Sequence, residues 1–176
     1  MFKYLFRIWL LIFFSFTACQ QKSLSQQYCE DKKFEQRIKW YLSFTVPVIS
    51  VEDLHKEKES YILLDTRSRE EFEVSTIPGA LFIGEGDFDT EELLKKYDKD
   101  QSIVVFCSIG YRSEKVGEKL QNAGFTNVNN LYGSIFEWAN REYELVDQNN
   151  QPTKEIHTYN RRWSQWVSNE NMDLKW

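Results

Sequence analysis

The residues best suited to chemistry in this sequence are a cysteine and an arginine in one short segment. Cys107 follows an apolar run of strand length, residues 102–106, and Arg112 lies where a helical pattern begins that extends to residue 123. Backbone N–H groups and the dipole at a helix N-terminus stabilise an anion. A thiol there ionises more readily than a free cysteine, whose pKa is about 8.5. The pattern favours a reactive thiolate, and the alternative is a small buried core residue.

The elements that position Cys107 are short apolar runs that alternate with helical patterns. This alternation predicts an α/β fold: a single domain with a parallel sheet of about five strands and helices on both faces. Ligands bind beyond the carboxyl ends of such strands. Asp65 and Cys107 both lie at predicted strand ends, and this shared position favours a site over a core cysteine. We expect strands at residues 46–49, 61–64, 80–83, 102–106 and 128–131.

Length, charge and cysteine content exclude several classes of protein. The 176 residues are enough for one domain, and the formal charge of −5 argues against nucleic-acid binding. The cysteines Cys19, Cys29 and Cys107 have no metal-ligand spacing, and His55 and His157 are isolated. We therefore expect no metal and no cofactor, and we expect both histidines at the surface.

The first residues have the layout of a secretory signal. Lys3 and Arg7 precede an apolar run that is too short to span a membrane, and residues 16–18 end it just before Cys19. This ending resembles a bacterial lipobox, which implies removal of residues 1–18 and acylation of Cys19. An ordinary signal peptide or an uncleaved anchor is the alternative. We expect an exported, membrane-anchored periplasmic or cell-envelope lipoprotein.

Four motifs in order along the chain carry a family resemblance. Residues 107–113 are similar to the Cys-x-x-Gly-x-Arg-Ser loop of the rhodanese-like family of single-domain sulfurtransferases. The family's Asp-Val-Arg strand end with its acidic helix, its His-Ile-Pro-Gly-Ala turn and its Gly-Gly-x-x-x-Trp helix start resemble residues 64–72, 76–80 and 131–138. Thr76 replaces the family's histidine and Ser134 its second glycine, and we expect neither departure to touch Cys107.

The resemblance implies a sulfurtransferase in which Cys107 forms a persulfide. A donor such as thiosulfate would load the sulfur, and a thiol or cyanide would accept it. The loop that would hold the persulfide consists of Ser108, Ile109, Gly110, Tyr111, Arg112 and Ser113, and Asp65 and Arg67 would support it. Four residues separate Cys107 from Arg112, whereas phosphatases and arsenate reductases of the same fold have five, so phosphatase activity is not expected.

Several roles stay open at this level. Arg112 either binds the donor or forms a salt bridge to Asp65 or a neighbouring acid that holds the loop. The protein is either an enzyme that turns over, a persulfide carrier or binding module that delivers sulfur to an unidentified protein acceptor, or a thiol redox partner. The redox role needs Cys29 close to Cys107, and a spectator role is the alternative for Cys29.

The predicted domain is flanked on both sides. Residues 19–45 are expected to form a polar tether and a leading helix, and residues 46–141 the rhodanese-like domain. Residues 142–176 form an aromatic extension that includes Tyr159, Trp163 and Trp166. We expect this extension to pack back on the domain, since aromatic stripes usually belong to a core. A contact with a partner or a membrane is the alternative.

Overall fold

A computed structural model describes residues 27–86 and 88–176, and its centre is a five-stranded parallel sheet. The strands are β1 (Val48–Ile49), β2 (Ile62–Asp65), β3 (Leu81–Phe82), β4 (Ile103–Phe106) and β5 (Val128–Leu131). Their order in the sheet is β1-β5-β4-β2-β3. This order places β4, the strand that leads into Cys107, in the middle of the sheet. The predicted parallel α/β sheet is therefore confirmed.

Both faces of the sheet are covered, which explains why β4 is apolar at every position. Val104 and Phe106 point into one core cluster with α1 (Lys32–Tyr41), α2 (Val51–Glu57) and α6 (Ser134–Asn140). Ile103 and Val105 point into a second cluster on the opposite face, with α4 (Thr90–Lys96) and α5 (Tyr111–Ala123). Side chains alternate across a strand, so a strand buried on both faces needs a continuous apolar run. The helices are α1 (Lys32–Tyr41), α2 (Val51–Glu57), α3 (Arg69–Val74), α4 (Thr90–Lys96), α5 (Tyr111–Ala123) and α6 (Ser134–Asn140).

Short polar side chains define where the first helices begin. The Asp31 carboxylate accepts from the backbone N–H groups of Lys33 and Phe34 at the start of α1. Ser68 and Glu71 form a reciprocal capping box at the start of α3. These caps satisfy backbone donors that the helix itself leaves unpaired. The capping box begins α3 soon after the end of β2.

The aromatic extension lies against the domain through small strands and side-chain contacts. It contains an antiparallel pair, β6 (Leu145–Val146) with β7 (Pro152–Thr153), and a parallel pair, β8 (Glu155–His157) with β9 (Asp173–Lys175). A short 3₁₀ turn, Ser164–Trp166, brings the Trp166 ring to 5.7 Å from the Phe34 ring of α1. The extension and α1 are thereby packed together on the same face of the sheet.

The signal sequence at residues 1–18, the acylation site at Cys19 and most of the tether lie outside the described residues. Within residues 27–86 and 88–176, no helix has the length and apolar character needed to cross a membrane.

Candidate active site

Cys107 lies at the bottom of a tight loop between β4 and α5. Its side chain is 1% exposed, and its Sγ accepts a hydrogen bond from the backbone N–H of Gly110 at 3.2 Å. Gly110 is the residue that caps α5, and its φ of 111° is a left-handed conformation that side chains disfavour. The loop therefore turns back on itself and directs the backbone N–H of Gly110, at the start of α5, towards the sulfur.

Side chains from α5 and β5 hold this loop from behind. Asn130 donates to the carbonyl of Gly110 at 2.9 Å, and Ser113 donates to the Asn130 side chain at 2.7 Å. Ser113 and Asn130 are both completely buried. Gly110 and Ser113 are therefore structural members of the predicted loop, because they shape it without facing the open cavity.

Arg112 forms a bidentate ion pair with Glu71 of α3. The two guanidinium nitrogens lie 2.7 and 2.8 Å from the two carboxylate oxygens, and Nη2 also donates to Ser108 Oγ at 2.9 Å. Burial on its own would raise the pKa of Glu71, but the hydrogen bonds and charge of Arg112 override it and lower the pKa to about 2. Burial would likewise lower the pKa of Arg112, and Glu71 raises it instead. Both groups are charged over the whole neutral range.

Glu71 is the partner of Arg112, so the expectation that Asp65 holds Arg112 is wrong. The second expected partner, a neighbouring acid, matches Glu71 and also Glu85, whose carboxylate lies 3.8 Å from Arg112. In the sequence, Glu71 belongs to a capping box and to the acidic helix of the family's first motif, and neither pattern marks it as the partner of Arg112. The Glu71 carboxylate both caps α3 and binds Arg112, because its Oε2 also accepts from the backbone N–H of Ser68 at 3.0 Å.

Asp65 and Arg67 form a separate, fully buried pair. Arg67 Nη2 lies 2.6 Å from Asp65 Oδ2, and both side chains are 0% exposed. Thr76, at the family's histidine position, donates to the same carboxylate oxygen at 2.8 Å. The pair ties the end of β2 to the segment after α3, and neither member lines the cavity over Cys107.

Ser134 does contact Cys107, so the expectation that neither departure from the family pattern touches it is wrong in this case. The Ser134 hydroxyl accepts from the backbone N–H of Cys107 at 3.2 Å and donates to the carbonyl of Leu131 at 3.1 Å. Ser134 has a φ of 51°, a conformation that glycine adopts more easily. The hydroxyl thus satisfies a buried backbone donor that a glycine in its place would leave to other groups.

The sulfur faces a cavity of about 330 Å³ that is open to solvent. Tyr41 of α1 and Tyr159 and Trp163 of the extension form part of its wall, and sequence reasoning did not predict any of them as site residues. In the sequence these three residues stand out only as aromatic side chains, and such side chains more often indicate packing than a site. The lining residues are Tyr41, Glu85, Cys107, Ser108, Ile109, Tyr111, Arg112, Tyr159 and Trp163.

Cys29 is a free, completely buried cysteine just before α1. Burial, Glu137 and Glu35 raise the pKa of its thiol far above the ordinary value. A thiol of raised pKa is a poor nucleophile. Cys29 and Cys107 are not joined by a disulfide.

The described part of the chain contains no cluster of histidine, cysteine or carboxylate side chains that could hold a metal ion. His55 is exposed and stacks on Tyr143 with 3.9 Å between ring centroids. His157, in β8, is half-buried.

The order of the elements, the loop at Cys107 and the capped helix beside it agree with one known family. Residues 50–141 match the family described as the rhodanese-like domain, which is more than half of the chain. The chain belongs to the rhodanese-like domain family. The match ends before the extension and begins after α1, so Tyr41, Tyr159 and Trp163 lie outside it.

Individual rhodanese-like relatives are distant. A tRNA uridine(34) hydroxylase of Bdellovibrio bacteriovorus is 33% identical over 115 residues, which cover 56% of this chain and 33% of the relative. The adenylyltransferase and sulfurtransferase UBA4 of Meyerozyma guilliermondii is 35% identical over 108 residues, which cover 57% of this chain and 24% of the relative. A solved rhodanese-related protein of Thermoplasma volcanium has a TM-score of 0.50 and 27% identity, covering 57% of this chain and 97% of that one. This chain thus spans a third or less of the length of the two curated relatives.

Proposed function

We propose that this protein is a sulfurtransferase that moves a sulfane sulfur through a persulfide on Cys107. The observation that supports this most directly is the hydrogen bond from the Gly110 N–H to Cys107 Sγ at the floor of the cavity. Membership in the rhodanese-like family and the word sulfurtransferase in the name of the Meyerozyma relative point the same way.

The first step loads the sulfur. The Cys107 thiolate attacks the outer sulfur of a donor such as thiosulfate, the S–S bond of the donor breaks, and sulfite leaves with the bonding electron pair. Cys107 then carries a terminal sulfur with one negative charge, and the total charge is unchanged. The added sulfur extends from a nearly inaccessible Sγ towards the open cavity, where a second substrate can reach it.

The second step unloads it. A thiolate or cyanide attacks the terminal sulfur, takes it as a persulfide or thiocyanate, and leaves Cys107 as a thiolate again. Glu71 holds the Arg112 guanidinium in place and offsets much of its positive charge. We propose that Arg112 stabilises and orients the loop, because its two terminal guanidinium nitrogens are already engaged by Glu71 and Ser108.

The test replaces the sulfur nucleophile. Cys107→Ser should abolish sulfur transfer from thiosulfate to cyanide, measured as thiocyanate formed. In mass spectrometry, the wild-type peptide that contains Cys107 should gain about 32 daltons, the mass of one sulfur atom, and the variant peptide should not. Cys29→Ala is the matched control and should keep turnover, because its thiol is buried and of raised pKa. Full turnover by Cys107→Ser contradicts the proposal.

The same assay separates an enzyme from a carrier. An enzyme continues to produce thiocyanate for many cycles, whereas a carrier loads one sulfur per Cys107 and stops. A disulfide between Cys29 and Cys107 after mild oxidation would favour the redox role instead.

We also propose acylation of Cys19 and anchoring to a membrane, on the sequence pattern of residues 1–19. Mass spectrometry of detergent-extracted protein should then find acyl chains on an N-terminal Cys19.

A further inference from the structure

The cavity over Cys107 has a wall built by parts of the chain outside the rhodanese-like match. We name Tyr41, Tyr111, Tyr159 and Trp163 the aromatic wall, and only Tyr111 falls inside residues 50–141. We infer that the aromatic wall selects an organic thiol, or its persulfide, with an apolar or aromatic body and little negative charge. This inference rests on the proposed sulfur transfer and names the class of substrate that enters the cavity.

Three rings of the aromatic wall pack together at the cavity, and Tyr159 meets them through Arg112. The Tyr41 centroid lies 5.5 Å from that of Trp163 and 5.9 Å from that of Tyr111. The Arg112 guanidinium carbon lies 5.5 Å from the Tyr159 centroid, within the range of a cation–π contact. The aromatic wall thus places four rings around the cavity that Cys107 lines.

The extension is fixed where it meets the domain, so the wall has a defined shape. The Asn140 side chain donates to the carbonyl of Trp166 at 3.0 Å and accepts from the Ser168 N–H at 2.7 Å. Tyr159 has a φ of 65°, which is uncommon for a residue with an aromatic side chain. Strained backbone of this kind persists where the surrounding structure holds it, and it clusters at functional sites.

The charges at the cavity are poorly arranged for a dianion. Both terminal nitrogens of Arg112 are engaged by the Glu71 carboxylate, which cancels its charge at short range. Glu85 lines the mouth, is more than half exposed and lies 3.8 Å from Arg112. One cation with two carboxylates around it repels thiosulfate or a sulfonate more than it repels a neutral organic group.

The size of the cavity agrees with an organic substrate. Its volume of about 330 Å³ lies at the lower end of the range of pockets that enclose small organic molecules, about 300–1,000 Å³. Thiosulfate would leave most of this space empty. A substrate with a phenyl or alkyl body would instead cover the aromatic wall and remove its apolar surface from water.

Two pairs of probes test this. The transfer arm compares 2-phenylethanethiol with 2-mercaptoethanesulfonate as acceptors from persulfide-loaded protein, each corrected for its thiolate fraction and its spontaneous rate. The binding arm compares their unreactive S-methyl thioethers by equilibrium dialysis. We expect the phenyl compound to be preferred by about tenfold in both arms. Equal or reversed preference in the binding arm overturns the inference.

Variants at Tyr159 assign the preference to the extension. Tyr159→Asn removes one of the four rings while keeping a residue that tolerates positive φ, and it should reduce the preference to about threefold. Tyr159→Phe keeps the ring and should keep the preference. Trp176→Leu changes an exposed aromatic residue of the same extension that does not line the cavity, and it should also keep the preference. A preference unchanged by Tyr159→Asn overturns the inference.

The two proposals fail in different ways. A protein whose Cys107 cannot be loaded by thiosulfate, inorganic polysulfide or an organic persulfide contradicts the proposed function, and the binding arm still decides the inference. A protein that loads and transfers normally but binds both thioethers equally contradicts the inference alone.

Discussion

Two arginine–carboxylate pairs of this protein differ in what surrounds them. Asp65 pairs with Arg67 two residues away, and both side chains are completely buried. Glu71 pairs with Arg112 across the fold, and the Arg112 side chain is 16% exposed at the cavity. Neither member of the first pair lines the cavity, whereas Arg112 of the second pair does.

The difference assigns the pairs different roles. A buried ion pair stabilises little by itself, but losing one member leaves an uncompensated charge. The Asp65–Arg67 pair therefore acts on stability, since it joins the end of β2 to Thr76 and to the carbonyl of Ser75. The Glu71–Arg112 pair acts on the loop, since Arg112 also donates to Ser108, the residue after Cys107. Substitutions that remove each pair should separate stability from activity.

The largest effect is expected from Asp65→Asn. Removing the carboxylate leaves the Arg67 charge buried, so the free energy of unfolding should fall by about 3–5 kcal/mol in a denaturant titration. Sulfur transfer per folded molecule should fall less than tenfold, because neither residue faces Cys107. The double variant Asp65→Leu, Arg67→Met should recover much of the lost stability, since it removes both charges. A folded Asp65→Asn protein without activity contradicts this division of roles.

Glu71 should give the protein a pH-dependent stability that Glu71→Gln lacks. The folded pKa of Glu71 is about 2, below its ordinary 4.5, so the carboxylate stabilises the fold above about pH 5. That contribution to the free energy of unfolding is lost as the pH falls from about 5 towards 2. Since a shift of one pKa unit corresponds to about 1.4 kcal/mol, the whole contribution amounts to about 3 kcal/mol.

The measurement is the free energy of unfolding at several pH values for both proteins. The wild type should lose about 3 kcal/mol more than Glu71→Gln over this interval. Glu71→Gln should also transfer sulfur more slowly at neutral pH, because Arg112 loses its anchor. Parallel pH curves for the two proteins would show that the Arg112 contact does not perturb Glu71.

The sequence predicts the sheet and the cysteine loop because both depend on local patterns. The apolar run of β4 can be read from residues 103–106, and Gly110 is a residue type that permits the tight bend of the loop. The partner of Arg112 was not predictable, since many acidic residues could reach it and only the placement of α3 beside the loop selects Glu71. Its capping-box position was visible, but that pattern indicates a helix start and not a site.

The aromatic wall was not predicted for a different physical reason. Tyr159 and Trp163 follow Cys107 by more than 50 residues along the chain, and aromatic side chains are used for both packing and binding. Trp166 does pack, against Phe34, whereas Tyr159 and Trp163 face the cavity. Only the path of the extension over α1 separates these two uses. The contact of Ser134 with Cys107 also needed the structure, because it joins residues of different strand–helix units.

The smallest expected effect is that of Thr76→Val, which removes one hydrogen bond from the buried pair. Thr76 donates to Asp65 Oδ2 at 2.8 Å, and the valine keeps nearly the same shape. The carboxylate retains its bonds to Arg67, so the free energy of unfolding should fall by about 1 kcal/mol. Thr66→Val is the matched control at a neighbouring buried threonine whose hydroxyl donates to a carbonyl of β4 instead. If Thr76→Val destabilises as much as Asp65→Asn, then the hydroxyl and not the ion pair organises the end of β2.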